Sequence, residues 1–221
     1  MLSSMCRLRS IIFACALFAK LTNAAELMSG GLNFPGCDKL LSETHCMALS
    51  LIGKIVPGDS DKLEKKIRAI EGLNIPSKSI RIGVLILDSP GGDLAEAMRI
   101  GRLLRSQQMA TFVTYDAICA SACVFILAAG VKRIAFGPVV IHSFYVPDLL
   151  GSGKFTRTSK ILDKAAIESD AYFREMRVSR AIVDAMLRVQ HSAAKELSLE
   201  ELIAFGLVGQ DPAYVQSIPK K

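Results

Sequence analysis

Three sets of residues in the middle of the chain have the types and spacing for acyl transfer. Ser121 stands alone in a run of small and apolar residues, I-C-A-S-A-C-V-F-I-L. His142 follows 21 positions later at the end of V-V-I-H. Upstream, L-D-S-P-G-G-D from Leu87 to Asp93 sets Gly91 and Gly92 where a strand should give way to a helix. A serine hydroxyl needs a base to become a nucleophile at neutral pH, and histidine is the side chain whose charge changes nearest that pH. Backbone N–H groups at a glycine turn or a helix start favour a developing oxyanion. Each set has a plainer use: a serine can cap a helix, a histidine can simply pack, and a Gly-Gly turn can serve a positive φ. Taken together and in this order they point to a serine hydrolase, with Ser121 as nucleophile and His142 as base. Of the three histidines, His45, His142 and His191, only His142 ends an apolar run downstream of the serine.

The surrounding pattern supplies elements to position these groups. Apolar runs predict strands over Met47–Ile55, Ile80–Leu87, Ala110–Thr114, Arg133–Phe136 and Val139–Ser143. Helical spacing predicts a helix opened by Ser60 and Asp61, with Leu63, Ile67 and Ile70 on one face, and another from Asp93 with Leu94, Ala97, Gly101 and Leu104. An apolar helix is expected from Ser121 to Ala129, ended by Gly130. Val146–Thr158 reads as a polar loop beside the site. Ser159–Met176 and Arg180–Val189 read as helices, and Ser198 with Glu201 forms a capping box before a last one. Strands alternating with helices imply an α/β fold around a largely parallel sheet.

In its motifs the chain resembles the Clp protease proteolytic subunit, within the Clp/crotonase superfamily. The resemblance runs from about Leu49 to Val208. It rests on L-I-G-K-I-V around Leu51, S-P-G-G at Ser89–Gly92, A-S-A at Ala120–Ala122, V-V-I-H at Val139–His142 and L-S-x-E-E-L-I-A-F-G-L-V at Leu197–Val208. It implies a spiral of ββα units, with the Ser159–Met176 segment as a handle-type helix that mediates contact between rings. It also implies a peptide or protein substrate, a homo-oligomer, and oxyanion donors at the amides of Gly92 and Ala122. The family's third triad member, an aspartate shortly before the L-S-x-x-E segment, is missing: Ala193, Ala194 and Lys195 fill that place. Asp170 or Asp184, or a backbone carbonyl or water, would then have to orient the imidazole.

Other uses of the same residues compete with this assignment. A non-catalytic scaffold is the main alternative, and the missing acid favours it. A crotonase-type acyl-thioester enzyme would share the fold. Cys119 or Cys123 as nucleophile with His142 would need a free thiol, which an exported chain disfavours, and the two with His142 make an incomplete metal set, so no metal and no cofactor is expected. A serine–lysine dyad, as in signal peptide peptidase A, would need one of Lys132, Lys154, Lys160 or Lys164, none of which lies in a motif.

Composition bounds the setting. The chain has 221 residues, 51% of them hydrophobic and 22% charged, enough for one domain with a sizeable core. Arg7 and Arg9, the apolar run Ile11–Ala19 and the small residues before Ala24 read as a secretory signal over residues 1–24. A loop-rich strap over 25–46 and the main domain over 47–221 follow. Export to the periplasm is therefore expected, with membrane anchoring if the signal stays uncleaved. Arg7, Arg9 and Lys20 carry half of the net charge of +6. The remaining basic residues form no stripe with interleaved aromatics, so nucleic acid is not an expected partner. No G-x-x-x-x-G-K loop is present, and an exported chain is not expected to meet an ATPase partner. An exported compartment permits disulfides. Cys37 with Cys46 is a candidate bridge, and Cys119 with Cys123 either bridge across a turn or pack as free thiols, because a regular helix suits such a bond badly.

Overall fold

A computed structural model describes residues 24–29, 46–72, 81–144, 155–190 and 193–217. The signal segment, most of the strap with Cys37, His191 and the loop over 146–154 lie outside them. In chain order the elements are β1 (Glu26–Ser29), β2 (Cys46–Ile52), α1 (Asp59–Glu71), β3 (Arg81–Asp88), α2 (Leu94–Ser106), β4 (Ala110–Val113), β5 (Cys119–Ala120) and α3 (Cys123–Ala129). There follow β6 (Lys132–Ala135), β7 (Val139–Ile141), α4 (Phe155–Glu175), α5 (Ala181–Arg188), β8 (Lys195–Glu196), α6 (Leu199–Phe205), β9 (Gly209–Gln210) and α7 (Pro212–Ser217). None of the described helices is long and apolar enough to cross a membrane.

Two sheets form. The larger has the order β1-β2-β3-β4-β6-β9, and the smaller has β5-β7-β8. The four central strands of the larger sheet are parallel, with β1 and β9 antiparallel at its edges. The parallel centre reads as apolar runs because it is covered on both faces, and Ile82, Val84, Leu85 and Leu87 of β3 are buried. On one face lies the main core. On the other, Ala48, Val84, Ala110 and Val131 make a thinner layer under Ile86, Phe112 and Tyr214.

A repeated unit emerges from the pairings. Each long strand feeds a short second-layer segment and then a helix. The unit is β4, β5, α3, and then β6, β7, α4. In the two earlier units the second-layer segment shrinks to single bridges, Ile55 to Gly92 and Ser89 to Cys119. Stacked second-layer segments thus run from Ile55 through Ser89–Gly92 and β5 to β7, which is the ββα spiral. The segments are too short for periodicity to reveal, and β5, β8 and β9 have two residues each.

Boundaries differ from expectation in several places, α4 among them, which opens at Phe155 inside the expected Val146–Thr158 loop. Glu26–Ser29 pairs with β2, so the strap begins with an edge strand. The first helix starts at Asp59 after Gly58 instead of at Ser60. The apolar helix begins at Cys123, leaving Ser121 outside it. That helix, α3, is buried on every side, as a helix apolar all round must be. The Tyr172 hydroxyl of α4 donates to the carbonyl of Phe125 at 2.9 Å. It closes against Gly101, where a Cβ would sit 1.7 Å from the Tyr172 oxygen. Behind this packing, the 1%-exposed Asp211 accepts from Arg105 and from Arg177 at 3.1 Å. Arg133 beside it donates to the carbonyls of Gly130 and Met176. Burial and the nearby Arg105 bring the Arg133 guanidinium down to about 10. These bonds tie α2, β6 and the end of α4 together.

Candidate active site

Gly92, Ser121 and His142 leave the ends of successive second-layer segments. β5 and β7 are parallel with Ala120 opposite Val140, and the Ser121 N–H donates to the Val140 carbonyl at 2.9 Å. Ser121 and His142 therefore follow adjacent strand ends. Ser121 is half-buried and has φ 57. That left-handed conformation costs a non-glycine residue about 1–2 kcal/mol. Cys119 and Cys123 are bonded to each other, with Cα atoms 5.2 Å apart, and so bracket the serine. Bridging so short a loop removes about 2 kcal/mol of chain entropy from the unfolded state, comparable to that strain. The bond also settles the open choice between a bridge and packed thiols. It removes both sulfurs as nucleophiles and as metal ligands, and among the described residues no His/Cys/Asp/Glu group suited to a metal is found.

The S-P-G-G turn lies directly on this serine. Ser89 N–H donates to Ile118 O at 2.7 Å, and Ala120 N–H donates to Ser89 O at 2.9 Å. The Ser89 hydroxyl donates to Gly53 O at 2.6 Å and accepts from Gly91 N–H at 3.1 Å. Ser89, fully buried, is thus the staple of the turn, a role that the S-P-G-G motif alone does not signal. Gly91 (φ 99) has no room for a side chain: a Cβ there would meet Ser121 Cβ at 2.7 Å and Ala122 N at 2.9 Å. At Gly92 (φ 145) it would meet the Ile55 carbonyl at 2.1 Å. Ile55 N–H donates to Gly91 O, and Asp93 N–H to Ile55 O, so the backbone either side of Gly92 is fixed. Among the described residues, neither the Gly92 N–H nor the Ala122 N–H has an acceptor. A turn held from both sides with two uncommitted amides is a suitable cradle for an anion.

His142 is half-buried, and its Nδ1 lies 2.7 Å from the Ser143 carbonyl oxygen. A carbonyl only accepts, so this bond puts the proton on Nδ1 and makes Nε2 the basic nitrogen. β8 pairs antiparallel with β7, Val140 opposite Glu196 and Ile141 opposite Lys195. Continued by one residue, that register sets Ala194 across from His142. The segment where the resemblance implies an acid thus passes across from His142 in register and has a methyl group at Ala194. Lys195 is bonded to Glu201. Asp170 is engaged by Arg174 and Arg180, and Asp184 lies exposed on α5. Lys164 pairs with Glu168, and Lys132 lies 6.0 Å from the Tyr214 ring centre. The Ser121 hydroxyl makes no hydrogen bond to any described residue. An apolar groove of about 320 Å³ between β6, β9 and α6 is lined by Lys132 but by none of Gly92, Ser121, Ala122 and His142.

No family model and no curated protein matches the chain by sequence. Solved structures do. A point mutant of ClpP1 from Listeria monocytogenes aligns with TM-score 0.52 at 18% identity, covering 73% of this chain and 88% of that one. The fold is ClpP-like. A point mutant of the 1510-N membrane-bound stomatin-specific protease aligns with TM-score 0.46 at 15% identity, covering 77% of this chain and 80% of that one. At these identities the likeness is one of fold. The ClpP-like fold is the α/β spiral expected from the motifs, and the roles of Ser121 and His142 rest on local geometry.

Proposed function

We propose that the chain is an exported serine peptidase that works without ATP through an acyl-enzyme. Ser121 Oγ attacks a peptide carbonyl while His142 Nε2 takes its proton. The Gly92 and Ala122 amides hold the oxyanion. His142 then returns the proton to the leaving amine, and water hydrolyses the ester by the same steps. The observation that carries this reading is the convergence at adjacent strand ends: a left-handed Ser121, two amides without acceptors and a histidine whose Nδ1 is already committed to a carbonyl. A homo-oligomer belongs to the same proposal, supported by Ile167, 69% exposed on α4.

Two observations favour a second reading, a non-catalytic scaffold. Ala194 offers no charge to the imidazole, and the Ser121 hydroxyl is not yet bonded to a base. A fluorophosphonate probe separates the two. Labelling of the mature chain that vanishes in Ser121→Ala and weakens in His142→Ala is expected of the peptidase. A folded, oligomeric chain that takes up no probe is the result the scaffold requires.

A further inference from the structure

The segment that presents Ser121 has a strong local alternative. From the sequence, A-S-A-C-V-F-I-L-A-A should be helical from the serine onward, yet the helix starts at Cys123 and Ser121 adopts φ 57. Ala120 and Ala122 have no side-chain groups to anchor the turn. The Ser121 hydroxyl is bonded to no described residue. What holds the turn is the backbone bonds of Ser121 to Val140 and Val124, the close approach of the Gly91 backbone, and the bond between Cys119 and Cys123. That bond joins the first residue of β5 to the first residue of α3 across the serine. Both cysteines are fully buried, so it is not a surface staple.

We propose that the Cys119–Cys123 disulfide is a positioning device for the nucleophile. It fixes Ser121 in the left-handed conformation and, through it, the direction of the Ala122 amide. The proposal rests on the peptidase reading above. With the bond open, the preceding residues are free to join α3 as an added helical turn. That rotation swings the hydroxyl away from the His142 strand end and turns the Ala122 N–H out of line with Gly92. The core of α3, buried on all sides, keeps the rest of the fold. Two cysteines that bracket the serine thus make activity conditional on the oxidised chain. Closing the bond takes two electrons and two protons from the thiol pair and delivers them, by thiol–disulfide exchange, to a disulfide donor. Opening it requires the same from a dithiol.

The test compares the oxidised wild type, the wild type refolded in dithiothreitol, and Cys119→Ala/Cys123→Ala. A Cys37→Ala/Cys46→Ala background leaves a single pair to respond. Folding is followed by circular dichroism, and Ser121 by its fluorophosphonate labelling rate and by kcat and KM on a small ester. The reduced chain and the double variant should remain folded but label on the order of 100-fold more slowly. The loss should fall on kcat with KM unchanged, and reoxidation should rescue the wild type alone. If the double alanine chain does not fold, Cys119→Ala/Cys123→Val, which refills the lost volume, takes its place. Equal labelling of folded oxidised and reduced chains overturns this proposal and leaves the peptidase standing. Labelling in neither state overturns the peptidase reading and this proposal with it.

Discussion

The strand ends carrying Ser121 and His142 are neighbours in one small sheet, yet they are restrained by different means. Ser121 sits within a covalent loop, between hydrogen bonds to Val140 and Val124, under a glycine that leaves no room for a side chain between them. His142 sets Nδ1 against the next residue's carbonyl, and across from it runs a two-residue edge strand. The difference follows from what each group must do. A serine held at positive φ works against its own backbone preference, so its restraint must be strong. A histidine serving as base needs the right tautomer, which one carbonyl secures. A carbonyl dipole, however, offers less than a carboxylate to the imidazolium that forms during attack. The expected enzyme therefore has a well-made nucleophile and oxyanion cradle and a base with no carboxylate at the register position across from it.

The largest effect is expected from breaking the better-built side. Gly92→Ala puts a Cβ within 2.1 Å of the Ile55 carbonyl at φ 145, and the backbone there cannot yield without moving the amide. Labelling of Ser121 should fall to background, and the chain should lose more than about 3 kcal/mol of stability in urea. Unchanged labelling by folded Gly92→Ala would exclude that amide from the cradle. On the other side, His142→Ala should lower kcat for a small ester by about 10²–10⁴-fold with little change in melting temperature. A loss of under threefold would mean that another group serves as base.

The contrast also explains which parts were legible in the sequence. β3 was readable because a strand buried on both faces is a continuous apolar run, and α6 because Ser198 and Glu201 form their capping box. Ser121, His142 and the S-P-G-G turn were legible as types in order. Their relation was not, because it depends on β5, β7 and β8, segments of two or three residues with no periodicity. The helix start was misplaced at Ser121 because A-S-A-C-V-F-I-L is helix-compatible by composition. The disulfide, the Ser121 bond to Val140 and the close approach of Gly91, all tertiary, oppose it. The missing acid was visible as an absence, but its consequence depended on register: Ala194 falls across from His142 only because Lys195 pairs with Ile141.

A control separates site restraint from general stability. Burial alone would raise the Asp211 carboxyl, but the Ala213 N–H and the Arg105 and Arg177 guanidinium groups outweigh it and hold the group below the usual carboxylate range. A depressed folded-state value gives stability that is present above the unfolded value of about 4 and lost as pH falls through the folded one. Asp211→Asn should cost about 3 kcal/mol at neutral pH, near the low end for a broken buried pair because Arg105 and Arg177 reach solvent. It should also flatten the acid loss below about pH 4 in urea unfolding. Labelling per folded molecule should stay at the wild-type rate, since the cluster touches neither strand end. A fall in labelling would show that the two regions are mechanically coupled.

The smallest and most informative change adds what the base lacks. Ala194 is exposed and follows the backbone bond from Ala193 N–H to Gln190 O, so a longer side chain meets no packing there. Ala194→Asp places a carboxylate at the register position across from His142, where it is expected to compete with the Ser143 carbonyl for Nδ1–H. Because that carbonyl already secures the tautomer, the gain is confined to stabilising the imidazolium. An increase in kcat on the order of tenfold is expected, well short of the roughly 10⁴-fold that losing an aspartate costs an enzyme built around one. Ala194→Asn, matched in size and without charge, should give no gain. If Asp and Asn raise kcat equally, orientation is the limit and the Ser143 carbonyl holds the ring poorly. If neither does, the base is not what limits the rate, and the nucleophile turn becomes the weaker half.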